Sequence, residues 1–249
     1  MWRSAERNEG SVDVEEEQWT LWGAGHGSTI TAHSARSESV IVPSVIVGEG
    51  VRLGVAAARR LVQTGCCEIA PGLTDAEFDR IERTWGFEFA DDHRAFLAAG
   101  LPVNVPFEPE EGVSYAWEMP WLDWRDGDPA AIRERLEWPV DGVLFDVEHK
   151  AVWHDTWGDR PARREEALET ARRRLEQVPR LVPVYGHRFL PAGRGTFGHP
   201  VMSVWQTDII YYGIDLVDYI HQEFGGPGMD RMDQRWNPNA TVAFWRDFL

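Results

Sequence analysis

Apolar residues recur at helical spacing through much of the chain and then switch to alternation, a change that predicts helices followed by strands. Val51, Val55, Ala58 and Val62 step along one helical face up to Gly65, a residue suited to close a helix. Thr74 and Glu77 have the spacing of a capping box, and Leu73 with Phe78 that of a hydrophobic staple; Phe78, Ile81 and Trp85 then share one face before Gly86. A second helix follows Asp91 and Asp92, buries Phe96 and Leu97, and stops at Gly100 ahead of Pro102. Asp128 caps another, with Pro129 in its first turn and Ile132 and Leu136 inward, and Pro139 is expected to end it.

From Gly142 the period becomes two. Val143, Phe145 and Val147 alternate with Leu144, Asp146 and Glu148, and residues 152–155 can return as the second arm of a hairpin. A long helix starts near Pro161, carries Leu168, Ala171, Leu175 and Val178 at steps of three and four, and ends before Pro179. Residues 181–190 and 201–206 read as strands, and residues 209–212 as another after a turn at Thr207 and Asp208. Asp215 caps a last helix that turns Leu216, Tyr219 and Ile220 inward and stops at Gly225 and Gly226. Helices first and antiparallel strands later predict an α+β fold, a helical N-terminal part packed on a mainly antiparallel sheet.

Residues 1–50 stand apart: an acidic start, then Gly23, Gly25 and Gly27 in a Ser/Thr-rich stretch with no sustained period. They read as a poorly ordered extension, and residues 51–249 as a single domain. A hydrophobic share of 43% in 249 residues allows a sizeable core. With 41 acidic and 25 basic residues the net charge is -16, a field that repels nucleic acid and anionic membranes and favours a basic protein. The longest apolar run, residues 40–47, is broken by Pro43 and Ser44 and falls short of the roughly 20 residues a spanning helix needs. Cys66 and Cys67 are adjacent, too close for an unstrained bridge. The acidic N-terminus lacks the basic flank and apolar stretch of a signal peptide. A cytoplasmic protein is expected.

Few motifs survive a test of context. Gly193, Gly195 and Gly198 complete a literal GxGxxG, but a dinucleotide fingerprint must open a helix, and here Pro200 leads into a strand. A kinase-type loop needs a lysine on a following strand, and the only lysine, Lys150, lies upstream. The glycines are therefore expected to form a flexible strand connection. His187 and His199 flank it and could pair across it or serve as structural donors. GxSxG, HExxH and CxxC are missing, and no cofactor is expected. The constellation with chemical potential is the hairpin around Asp146, Glu148, His149, His154 and Asp155, of which Asp146, Glu148, His154 and Asp155 would carry the chemistry. If Val147 pairs with Val152, three carboxylates surround Trp153, enough to hold a hard cation or to divide acid and base roles in a metal-dependent hydrolase. The competing reading is a solvated sheet face, with Trp153 and Asp155 structural or facing a partner.

Residues 117–128 interleave Trp117, Trp121 and Trp124 with Glu118, Asp123, Asp126 and Asp128. Aromatic anchors ringed by charge have the composition of an interface hot spot, whereas tryptophans in long loops also lie on the core as a lid. Both readings fit, and 13 tryptophans exceed what one core readily hides. Arg172, Arg173 and Arg174 are expected on a solvated helix end, where cations complement the dipole.

Several of these pieces together resemble the SUKH superfamily, which contains fungal cell-wall-synthesis regulators and many bacterial immunity proteins against polymorphic toxins. Leu73-Thr74-Asp75-Ala76-Glu77-Phe78, Ile81-Glu82, Trp85-Gly86-Phe87 and Asp92-His93-Arg94-Ala95-Phe96-Leu97 are similar to its opening helix pair. Leu181-Val182-Pro183-Val184-Tyr185-Gly186, Val201-Met202-Ser203-Val204, Ile209-Ile210-Tyr211-Tyr212 and Asp215-Leu216-Val217-Asp218-Tyr219-Ile220 resemble its strand, strand and closing-helix order. Phe89-Ala90 and Ala99-Gly100 stand where the family often has Leu-Pro and Asn-Gly, and residues 105–178 are longer than in its simplest members. The resemblance implies an α+β module that binds other proteins and carries no catalytic residues, an immunity protein against a toxin; the net charge of -16 makes a basic toxin domain the expected partner.

Overall fold

Residues 48–104, 121–225, 238 and 241–249 are described by the computed structural model, and all lie in one unit of the chain, Val45–Leu249. The expected N-terminal extension falls outside them, apart from its last three residues. Helices α1 (Glu49–Thr64), α2 (Asp75–Trp85) and α3 (Asp91–Ala99) alternate with short strands β1 (Glu68–Ala70) and β2 (Leu101–Val103). Then come α4 (Pro129–His149), α5 (Arg164–Leu175), β3 (Leu181–Tyr185), β4 (Arg188–Pro191), β5 (Val201–Trp205), β6 (Asp208–Gly213) and α6 (Leu216–Phe224). Single 3-10 turns occupy Asp155–Trp157 and Trp245–Phe248. β1 pairs antiparallel with β2, and β3 to β6 form an antiparallel meander. The fold is α+β.

The best-capped helices form where the sequence signals them. The Thr74 hydroxyl accepts from the Glu77 backbone N–H at 3.3 Å while the Glu77 carboxylate accepts from the Thr74 N–H at 2.7 Å, satisfying two donors that a helix start leaves open. Asp215 accepts from the Asp218 N–H at 2.8 Å and starts α6. The expected strand over residues 181–190 is corrected to a hairpin: Gly186, at φ 53°, supplies the left-handed residue that turns β3 into β4.

Alternation along this meander divides its side chains between two cores. Val182, Val184, Leu190 and Val201 meet Leu61, Phe78, Phe96 and Tyr219 from the helices on one face. Leu181, Phe189, Met202, Val204 and Ile209 meet Val143, Val147, Ala171, Leu175 and Trp245 on the other.

Two helices depart from expectation. α1 buries Gly50, Gly54, Ala57, Ala58 and Leu61, and leaves Val51 and Val62 exposed. A Cβ at Gly54 would stand 2.1 Å from the Asp92 carbonyl oxygen, so α3 packs against this small-residue face because only glycine admits it. The second departure corrects the hairpin expected from Gly142: α4 runs unbroken through Pro139 to His149. The proline forfeits one backbone hydrogen bond, but Leu136, Val143, Leu144 and Val147 recur at the helical period and are all buried. At about 1.5–3 kcal/mol for each buried aliphatic side chain, that face outweighs the lost bond. α4 crosses the turn end of the meander: Arg135 donates to the Gly186 carbonyl at 2.5 Å and the Trp138 indole to the Val204 carbonyl at 3.1 Å.

The glycine-rich connection between β4 and β5 is pinned. Gly193, Gly195 and Gly198 take φ values of 140°, 80° and 68°, conformations that favour glycine. The Gly195 and Gly198 N–H groups donate to the carboxylates of Asp91 and Asp92 at 2.9 and 2.8 Å, and the Asp91 N–H donates to the Thr196 carbonyl at 2.8 Å. The loop is a clamp on the start of α3.

Candidate partner-binding surface

The tryptophan-rich segment lies on the core. Trp121 and Trp124 are 6% and 3% exposed. Trp121 stacks on Phe224 at 5.3 Å and meets Tyr185 at 4.7 Å; Trp124 packs edge-on against Phe89 at 5.3 Å and Phe87 at 5.9 Å. Arg125 straps the loop down, its Nε 2.5 Å from Glu77 and its Nη2 donating to the Pro71 and Gly72 carbonyls. The hydrogen bond from Arg125, followed by those from Thr74, holds the Glu77 carboxyl down at about 2. Of the acidic neighbours, Asp123 accepts from the Arg125 and Asp126 N–H groups and Asp128 caps α4 through Ala130, while Asp126 is exposed. Trp117 lies outside the described residues. Of the two arrangements open to them, Trp121 and Trp124 take that of a lid, their rings buried against phenylalanines.

The residues of the hydrolase alternative are not brought together. Asp146 lies on α4, fully buried, where its Oδ2 accepts from the Thr207 N–H and hydroxyl at 3.1 and 2.6 Å and Lys150 Nζ stands 3.0 Å from Oδ1. Burial raises its pKa, but the bonds from Thr207 and Lys150 prevail and leave it lowered. It is a structural clasp on the β5–β6 turn. Glu148 pairs with Arg164, and His154 with Asp247. Trp153 is half-buried, donates to the Gly158 carbonyl at 2.7 Å and sits edge-on to Trp157 at 5.2 Å; Asp155 is exposed at the start of a 3-10 turn. Among the described residues no group of three His, Cys, Asp or Glu side chains is placed to hold a metal ion.

What the fold does bring together is an aromatic strip at the turn end of the meander. Trp205 ends β5, is 49% exposed, and packs edge-on against Trp138 of α4 at 5.3 Å. The His187 ring meets Trp205 edge-on at 5.9 Å, and burial, with Arg188 and Arg135 adding to it, depresses this imidazole to about 4. Of the two readings for His187 and His199, no hydrogen bond between them is present among the described residues, where the His187 ring meets Trp205. Two turns along α4 from Trp138, Phe145 is 45% exposed and meets His149 at 4.4 Å. Exposed Asp208 stands opposite Trp205 in the β5–β6 register, exposed Glu134 and Asp141 lie one turn either side of Trp138 on α4, and Lys150 is a cation nearby, bonded to Gln206. The helical half of the strip was hidden from sequence reasoning by one assumption, that Pro139 ends the helix. Carried through the proline, the helical period places Trp138 and Phe145 on one stripe.

No helix among the described residues is long and apolar enough to cross a membrane. Comparison with protein-family models, with curated proteins and with solved structures finds no match to this chain.

Proposed function

We propose that this chain is a non-catalytic protein-binding module of the SUKH type, a cytoplasmic immunity protein that neutralises a basic toxin domain by covering its active surface. The observation that carries the reading is Trp205, half exposed at the end of β5, supported edge-on by Trp138, with Asp208 opposite it and Glu134 and Asp141 one turn either side of Trp138. An indole held in place loses little entropy on binding and supplies large contact area. The acidic border adds to a net charge of -16 and steers a basic partner into contact. The resemblance supports the same reading: the residues that carry it lie in α2, α3, β3, β5, β6 and α6, in the order helix pair, strands, closing helix. The test is calorimetry with the product of the neighbouring gene, together with co-expression. A one-to-one complex and restored growth of cells poisoned by that product are expected. The absence of both would remove the immunity reading.

A further inference from the structure

A second surface, beside α1, presents arginines and apolar side chains, with the exposed Glu49 in the first turn of that helix. Because α3 packs on the glycine and alanine face of α1, the valine stripe of that helix is left outside, with Val62 58% exposed. Two grooves flank it. One, of about 720 Å³, runs toward α6 and is lined by Val51, Arg52, Val55, Arg59, Arg60 and Val217. The other, of about 390 Å³, runs toward β1 and α3, and its walls include Val55, Arg59, Val62, Ile69 and Phe96. Arg59 and Val55 form the ridge between them. Neither lining includes a carboxylate, which is notable in a chain of net charge -16. Arg60 is engaged by the His221 ring on α6. Arg52 and Arg59 are exposed, and their side chains make no hydrogen bond or ion pair among the described residues. They stand seven residues apart, two helical turns or about 10.5 Å along the axis.

We infer that the outer face of α1 docks an acidic amphipathic helix of a partner protein, one that lays apolar side chains into the grooves beside the valines and sets carboxylates seven residues apart against Arg52 and Arg59. This is helix-in-groove recognition, in which apolar anchors give area and charge pairs fix register. A membrane or nucleic-acid surface fits less well, because the chain's field repels an extended polyanion while two local cations suffice for two carboxylates. The inference concerns a different face from the Trp205 strip and does not depend on it.

The probe is an end-capped, fluorescent 18-residue helical peptide with leucine on one face and glutamates seven residues apart, titrated into the full chain and followed by anisotropy. Saturable binding at micromolar concentration is expected, weakening about tenfold in Arg59→Glu, a loss of roughly 1.4 kcal/mol, and further in the Arg52→Glu, Arg59→Glu double variant. A peptide with lysine in place of glutamate should fail on the natural chain and bind the double variant. Both positions are exposed, so circular dichroism of the variants should be unchanged. No saturation with the glutamate peptide, equal affinity for the double variant, or binding to phosphatidylserine vesicles without binding to the peptide would each overturn the inference.

Discussion

Trp124 and Trp205 are the same side chain put to opposite uses. Trp124 sits in a loop, 3% exposed, with Phe87 and Phe89 against its ring and Arg125 tying the next residue to Glu77 and two carbonyls. Trp205 sits at the end of a strand, 49% exposed, with Trp138 and His187 the rings beside it among the described residues. The loop indole has spent its apolar area on folding; the strand indole keeps about half of it for something else. Clustering of tryptophan in sequence therefore says less about an interface than the rigidity and cover of each ring.

The largest effect expected from that contrast is on stability. Trp124→Ala should cost about 3–5 kcal/mol in urea unfolding, since it opens a cavity under the lid; a loss below about 1 kcal/mol would mean that the loop does not pack as described.

Acid should come next. Burial holds His93 at about 3 and His187 at about 4, below the ordinary 6.5. The unfolded chain then binds more protons in this window, so stability falls as pH drops from 6.5 toward 3. Asp92, whose pKa is raised by burial, acts in the opposite sense. His93, packed edge-on against Phe89 at 5.1 Å, should dominate, and His93→Phe should flatten the fall in urea midpoint between pH 7 and 4.5. An unchanged slope would place the proton uptake elsewhere.

Asp146→Ala removes both bonds to Thr207 and the ion pair to Lys150, leaving the Thr207 N–H without its acceptor, and about 2 kcal/mol should be lost. A chain that loses nothing would refute the clasp on the turn. Trp205→Ala should be the smallest, about 1 kcal/mol, since half of the ring is already exposed and its removal opens no closed cavity.

The regions legible in the sequence are those where local chemistry alone decides the outcome. Thr74 and Glu77 fix the start of α2, Asp215 that of α6, and the glycines at 86, 100 and 225 close helices as expected. What was illegible depends on partners distant in sequence. Val51 and Val62 look like a core face until Gly54 lets α3 approach from another side. Pro139 looks like a terminator until the core on α4 holds the helix together, and the misplaced carboxylate site followed from that single break. The acidic border at Asp141 and Asp208 was unreadable for the same reason, because it is assembled from α4 and a turn that meet only in three dimensions.

The most direct test of the binding surface is calorimetry of the neighbouring gene's product with the natural chain, Trp205→Ala and Trp124→Ala, each at low and high salt. Trp205→Ala should weaken binding by about 2 kcal/mol with only a small loss of stability, and the natural complex should weaken as salt screens the acidic border. Trp124→Ala should lower stability and leave the affinity of the folded fraction as it was. Undiminished binding by Trp205→Ala, or a loss of affinity confined to Trp124→Ala, would contradict the assignment.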